Sequence, residues 1–553
     1  MRRLTVGQRL LRRRLLRATV TIAALLATLT ACSSDPTPAR PSTTNQPGGT
    51  NGSAADTTYQ KGTLRVLASS ELSDMQGVLD LAEKQTGVKV RPTWTGTLDA
   101  ADLIASGGAD GKYDAVWLSS NDYLRLSPGV SRRLTNETPI MSSPVALGVK
   151  AAAVKRLGWH PDRVTWSQVY DAVAAGRLTY GMTDPVRSNS GFSGLISVAS
   201  GLSGAQAALT DADVRAATPK LAKFFAGQKL TSGSSGWLAT AYTRHDTVDA
   251  LVNYESVLLS MNRDSHTGLT VIRPRDGVVT ADYPFTLLTS APREAKEAGQ
   301  ALTTYLRSPE AQRALTDETF RRPVVPSVKP AAGLATEKRR ELPFPGTRSV
   351  ADGLLNAYEN KLRRPSRTVY VLDTSGSMEG GRLDRLKAAL TTLTGTGDSP
   401  TGDRFRDREE VTFMPFGAEV KEVTTHTVAP GDPSAALDVI RADAASLTAS
   451  GETAIYSSLE EAYSRLGQGS SDTFTSIVLM TDGENTTGTS AGDFDAFYAG
   501  LPAERRTTPV FPIVFGDSDR GELAHIAELT GGRLFDATRG SLDGAFEEIR
   551  GYQ

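Results

Sequence analysis

The run VYVLD at residues 369–373 is apolar on both of its faces. Successive side chains of a strand point to opposite sides, so Val369 and Val371 face one layer while Tyr370 and Leu372 face the other. A strand buried on both sides needs a cover on both sides, which is the situation of a parallel sheet between helices. The following segment GRLDRLKAALTTLTG has helical spacing, and the alternation continues to residue 553. Strand patterns EEVTFMPFGAEV, TSIVLMTDGEN, TPVFPIVFG and GRLFDA alternate with helical patterns PSAALDVIRADAASL, AIYSSLEEAYSRL, ELAHIAELTG and SLDGAFEEIR, with EVTTHTVAP as a polar edge segment. The expectation for 366–553 is therefore a doubly wound parallel sheet.

The end of that first strand is unusual, because VYVLDTSGSM places Asp373, Ser375 and Ser377 where ligand-binding loops emerge from such a sheet. Thr453 in GETA and Asp482 in MTDGEN put two more small oxygen groups at loop positions. Mg²⁺ prefers oxygen ligands in near-octahedral array and keeps several waters, so one or two carboxylates with neutral hydroxyls suit it. Gly376 is expected to let the loop turn tightly. Other chemistries fit less well. An aspartic protease needs two matched carboxylate motifs, and a serine hydrolase needs G-x-S-x-G with a partner histidine. The five histidines form no telling arrangement, and no histidine or cysteine cluster suggests zinc. The pattern resembles the von Willebrand factor type A domain and its metal-ion-dependent adhesion site. That resemblance implies Asp373, Ser375, Ser377, Thr453 and Asp482 as metal ligands, Mg²⁺ or Mn²⁺ as the ion, and a protein partner that offers a carboxylate to it.

Upstream, residues 62–330 also alternate strands and helices. TLRVLASSEL opens the region, VKVRPTW and YDAVWLSSNDYL follow, and SPVALGVK, LTYGMTDPVRSNSGFSGLISVASGL, NYESVLLSM, LTVIRPRDG and DYPFTLLTSA read as strands or strand–turns. Hydroxyls end two of the strands, at Ser69–Ser70 and at Ser119. The order of the opening strand with its hydroxyl-bearing loop, DPVRSNSGFSG, YES and YPFTLLTSAP with YLRSPEAQ and FRRP resembles the type II periplasmic solute-binding proteins. The resemblance implies two α/β lobes joined by hinge strands, with crossings near 142–150 and 270–290. A candidate cleft would be lined by Ser69, Ser70, Ser119, Ser188, Asn189, Ser190, Tyr254 and Glu255. SNSG before a helix supplies N–H groups and hydroxyls suited to an oxyanion or another small molecule, although such residues equally serve as caps.

The N-terminus has a different character. Residues 1–31 hold seven arginines and no acid, and end in ATVTIAALLATLTA (18–31), too short for the roughly 20 apolar residues that span a bilayer. The layout is a secretory signal, and its end, LTAC, resembles the lipobox of bacterial lipoproteins. Cys32, the only cysteine, has no disulfide partner in the chain and reads as an acyl anchor to the cell membrane. Residues 33–60 are Ser, Thr, Pro, Gly and Asn with almost nothing to bury, a coil that would average roughly 30 Å end to end. Without residues 1–31 the chain carries 54 basic against 62 acidic side chains, so its charge gives no reason to expect nucleic-acid binding.

The expected organisation is a signal peptide (1–31), a tether with Cys32 (32–61), a solute-binding-like module (62–330), a Pro-rich connector and helix (331–365) and the type A domain (366–553). Residues 62–330 and 345–553 are each expected to own a core. The functional expectation is a membrane-anchored, extracytoplasmic, non-enzymatic binding protein, with a ligand-capturing uptake receptor of the ABC type as the alternative.

Overall fold

A computed structural model describes residues 62–245, 247–396, 404–466, 472–538 and 542–553, all within one compact unit. The signal segment, the tether and Cys32 lie outside the described residues.

In chain order the first module contains β1 (Thr63–Ser69), β2 (Lys89–Thr95), β3 (Ala115–Trp117), β4 (Thr138–Pro139), β5 (Met141–Lys150), β6 (Tyr180–Thr183), β7 (Gln228–Ser232), β8 (Ala250–Tyr254), β9 (Leu269–Ile272), β10 (Thr280–Ala281), β11 (Pro284–Leu287) and β12 (Arg322–Pro323). One sheet runs β2-β1-β3-β11-β4, and a second runs β10-β5-β8-β6-β7 with β9 and β12 also paired to β5. The chain crosses between them at 139–141, at 281–284 and again where the helix Pro309–Thr319 leads into β12, so three segments join the two lobes. Pro92 is tolerated in β2 because that strand is an edge. NYESVLLSM differs from its strand reading. Tyr254 ends β8, and Glu255 opens the helix Glu255–Asp264, which buries Leu258 and Met261 at helical spacing.

The C-terminal domain contains β13 (Ser366–Asp373), β14 (Glu410–Phe416), β15 (Thr424–Thr427), β16 (Phe474–Thr481), β17 (Val510–Val514) and β18 (Phe535–Asp536), in sheet order β15-β14-β13-β16-β17-β18. Every pairing is parallel except that of the edge strand β15. The two faces of VYVLD part as their alternation requires. Tyr370 and Leu372 pack with Leu386, Leu390 and Phe546, while Val369 and Val371 pack with Ile455, Leu459 and Phe494.

The helix Arg348–Ala357, continued by the wider turn Tyr358–Leu362, corrects the expected grouping with the C-terminal domain. Its apolar face (Val350, Leu354, Leu355, Tyr358, Leu362) joins the apolar cluster of the first module. Tyr358 stands edge-on to Phe225 with ring centroids 5.1 Å apart. The helix is amphipathic, and the nearest uncovered apolar surface belongs to the lobes rather than to a sheet already covered on both sides.

Charge fastens the two modules together. Arg406, 3% exposed, lies between Asp184 of the second lobe (3.4 Å) and Glu359 of the connector turn (3.1 Å), and donates to the Arg550 carbonyl at 3.1 Å. Beside it Arg550 and Glu409 form a buried pair at 2.6 Å. Burial alone would push the Glu409 carboxyl up, yet Arg550 holds it below its usual range. Gly551 meets Gly233 of the second lobe at backbone contact, and Arg533 lies over the Trp237 ring at 5.1 Å.

Replacing Arg406 with alanine strands Asp184 and Glu359 without their shared cation, and should cost about 3–5 kcal/mol in chemical denaturation. A loss below 1 kcal/mol would mean that the junction charges are solvated and do not hold the modules together.

Candidate metal centre and interlobe seam

β13 delivers Asp373 to the C-terminal edge of the sheet with its carboxylate 0% exposed. One oxygen accepts from the Ser375 backbone N–H at 2.8 Å, the other from the Thr481 hydroxyl at 2.6 Å. The Ser375 and Ser377 hydroxyls are 2.9 Å apart, and Ser377 donates to Asp482 Oδ1 at 2.8 Å. Four of the five expected ligands are thus linked by one continuous hydrogen-bond chain. Thr453 joins from a third loop. Its hydroxyl and that of Ser377 stand 3.9 and 4.0 Å from the point a Gly483 side chain would occupy. The TDGENTT loop fixes Thr453, whose N–H donates to Thr486 Oγ1 (3.0 Å) and whose carbonyl accepts from Thr486 N–H (2.8 Å). Gly376 and Ser377 are exposed, so the group opens at the surface.

Three residues that the motif does not name hold this arrangement. Thr481 precedes Asp482 and satisfies Asp373 from the neighbouring strand. Arg382 pairs with Asp482 Oδ2 and with Asp517. Lys421 donates to the Thr374 carbonyl (2.8 Å), the Thr448 carbonyl (3.1 Å) and Ser450 Oγ (3.2 Å), which staples the Asp373 loop to the loop leading to Thr453. Gly376 opens a tight turn, Gly376–Met378. Its φ is not left-handed, and its N–H donates to the Gly451 carbonyl at 2.8 Å, an oxygen 3.4 Å from where a Cβ would stand. That is ordinary van der Waals contact.

The donor chemistry fits a divalent ion. Two carboxylates and three neutral hydroxyls converge, and Gly483 leaves the space beside Thr453 and Ser377 open. Burial, the larger influence, raises the Asp373 pKa against the hydrogen bonds from Thr481 and Ser375, and the Asp482 charge raises it further. A divalent cation would relieve both costs, the desolvated charge and the repulsion between the two aspartates.

The residues assigned to a cleft fall into four groups. Ser69, Ser119, Asn189 and Tyr254 meet at the seam between the lobes. Ser69 Oγ accepts from the Ser119 N–H (2.9 Å) and, across the seam, from Asn189 Nδ2 (2.6 Å). Tyr254 donates to the Asn189 carbonyl at 3.1 Å and lies 2.9 Å from Ser193 Oγ. Ser188 and Ser190 turn into the second lobe, Ser190 bonding Thr183 (2.9 Å) and Ser235 (2.6 Å). Ser70 opens a short helical turn and is half-buried. Glu255 is engaged in ion pairs with Arg322 (2.6 Å) and Arg273 (3.4 Å), so its carboxylate serves the fold. The residue that sequence reasoning missed is Glu71. It is buried at the same seam near Arg321, Asn189 and Tyr254, and burial pushes it up to about 7 against the pull of Arg321. Its Oε1 has no hydrogen-bond partner among the described residues.

Two measurements follow from these environments. Asp373→Asn keeps an acceptor for the Ser375 N–H but removes the charge, so calorimetric titration with Mn²⁺ should show binding lost while the metal-free melting temperature holds or rises. Retained Mn²⁺ binding would contradict the assignment. At the seam, native Glu71 keeps its proton to about 7 whereas the unfolded chain releases it near 4.5. The folded state therefore binds more protons between these values, and the stability present below the lower one is lost as pH rises through the upper. The difference is worth about 3 kcal/mol. Glu71→Gln should flatten the fall in urea stability between pH 5 and pH 8 by that order, and an unchanged slope would remove Glu71 from the account.

Each of the two modules matches a family model. Residues 64–321 match the model for bacterial extracellular solute-binding proteins, and residues 368–484 match the von Willebrand factor type A domain. Among solved structures, the periplasmic binding protein AfuA from Actinobacillus pleuropneumoniae, with fructose-6-phosphate bound, is 13% identical. The match covers 55% of this chain and 99% of that one, with a TM-score of 0.44. The ferric binding protein from Campylobacter jejuni is 12% identical over 53% of this chain and 97% of its own, with a TM-score of 0.41. No curated protein matches. The chain joins a two-lobed bacterial extracellular solute-binding module to a von Willebrand factor type A domain.

Proposed function

We propose that this protein is a membrane-anchored, extracytoplasmic binding protein whose type A domain docks a protein partner through a divalent metal. The observation that carries the reading is the convergence of Asp373, Ser375, Ser377, Thr453 and Asp482 from three loops onto one surface-open point. The hydroxyls orient a Mg²⁺ or Mn²⁺ ion without cancelling its charge, so a carboxylate from a partner completes the coordination. When bound, the ion supplies that electrostatic link. The chain's own part is to hold the two aspartates together and keep Gly376 and Ser377 exposed. Cys32 supplies the membrane anchor, and the tether lifts the folded unit from the lipid surface.

The first module serves this reading as a sensing or scaffolding body for a small ligand. Its seam closes on itself through Ser69 and Asn189, and the type A domain rests against the second lobe. A dedicated uptake receptor must open its lobes and present both to a permease, so these features weigh toward a binding platform over an uptake receptor.

Partner capture from envelope extract should depend on Mg²⁺, fall to background with chelator, and be lost with Asp373→Ala in a chain that still unfolds cooperatively. Ser375→Ala should weaken it less, because water can replace a hydroxyl. Capture indifferent to both chelator and Asp373→Ala would overturn the proposal. Separately, Cys32→Ser should move the folded protein from the membrane to the soluble fraction. A signal-cleaved mutant that stays wholly with the membrane would refute the anchor.

A further inference from the structure

Two lobes joined by three crossing segments hinge about them, and a further segment that touches both lobes can hold them in one arrangement. In this chain residues 337–362 touch both lobes. The segment first binds the second lobe through its backbone. Arg273 donates to the Glu337 carbonyl (2.7 Å), Val278 exchanges bonds with Arg340 and Leu342 (3.0 and 2.8 Å), and Leu209 does so with Phe344 and Gly346 (3.0 Å each). It then reaches the first lobe. Arg348 donates to Asp102 at 3.0 Å and to the Ser127 hydroxyl, and lies over the Tyr123 ring at 4.2 Å. Tyr123 in turn donates to Asp352 at 2.6 Å, one turn along the same helix, where Arg348 also bonds. The segment returns to the second lobe at Tyr358, which donates to Gln228 at 3.3 Å and packs on Phe225. The lobes it spans are in contact beneath it, with Tyr123 edge-on to Phe192 at 5.3 Å and Asn189 bonded to Ser69.

We propose that the helix Arg348–Ala357 is an intramolecular latch that holds the two lobes closed, with Arg348 and Asp352 as its grip on the first lobe. The inference is independent of the metal site and of any partner. Its two attachments differ in kind. The hold on the second lobe is backbone pairing and aromatic packing. The polar grip on the first lobe is made by side chains that solvent reaches, Arg348 being 23% and Asp102 43% exposed. A grip of partly exposed ion pairs is the weaker of the two and the one that releases first. Four residues beyond Leu362 the chain enters β13, the strand that ends in Asp373. The latch is thus covalently continuous with the metal loop.

The test is amide hydrogen exchange on the full chain, comparing Arg348→Gln with the parent. Peptides covering 67–73, 117–123 and 187–193 should exchange at least threefold faster in the variant, because seam amides are exposed whenever the lobes part. Peptides over β13 and β16 should keep their rates. Tyr123→Phe removes one hydroxyl without changing the packing and should shift the same seam peptides by a smaller factor. It decides the matter if Arg348→Gln does not fold. Unchanged seam exchange in a cooperatively folded Arg348→Gln variant, or in Tyr123→Phe should that be the only folded one, overturns the latch.

Discussion

A buried guanidinium has to be paired, and Arg406 is paired only when two modules and the connector are in one arrangement. Its partners come from the second lobe (Asp184) and the connector turn (Glu359), while Arg550 and Glu409 complete the cluster from the type A domain. Moving any of these bodies leaves a charge in a low-dielectric interior without its counter-ion, which is far costlier than the net worth of the intact pair. Asp184 also accepts from the Val186 N–H at 2.7 Å, in the loop that leads to Ser188 and Asn189. The seating of the type A domain and the shape of the interlobe seam therefore share a residue.

The same rule operates with opposite effect at the two sites. At the metal centre, Asp373 and Asp482 are brought together out of water, and Arg382 balances only the second of them. The site is built with excess negative charge that a cation can meet. At the seam, Glu71 is the uncompensated acid, because Arg321 is already held by Asp74 at 2.7 Å. There the folded chain relieves the cost by keeping a proton. Each site sets two carboxylates beside one arginine, and the difference lies in the hydroxyls: Ser375, Ser377 and Thr481 surround the aspartates, whereas one oxygen of Glu71 has no partner among the described residues.

Much of this was legible in the residues. VYVLD foretold a strand covered on both faces, and its two sides do enter different apolar layers. The strand-end hydroxyls and aspartates come together in the structure because parallel topology sends such ends to one edge. What stayed hidden depends on contacts between distant segments. Nothing local to Arg382 or Lys421 distinguishes them from other basic residues, since their roles arise only when 374, 448 and 482 are neighbours. Glu71 sits in an ordinary polar turn, and the groups around it, Arg321, Asn189 and Tyr254, come from distant segments. The helix at 348–357 showed its apolar face plainly. Which body that face covers was not encoded within the helix itself. NYESVLLSM misled because a strand passes into a helix without an intervening turn residue.

The account rests most heavily on a single divalent ion bridging the loops that carry Asp373, Thr453 and Asp482. Crystals grown with Mn²⁺ and measured at the manganese absorption edge test this directly. The account predicts one anomalous peak within bonding distance of Ser375, Ser377 and at least one of the two aspartates. No peak there at saturating Mn²⁺, with Ser377 and Arg382 still bonded to Asp482, would contradict it.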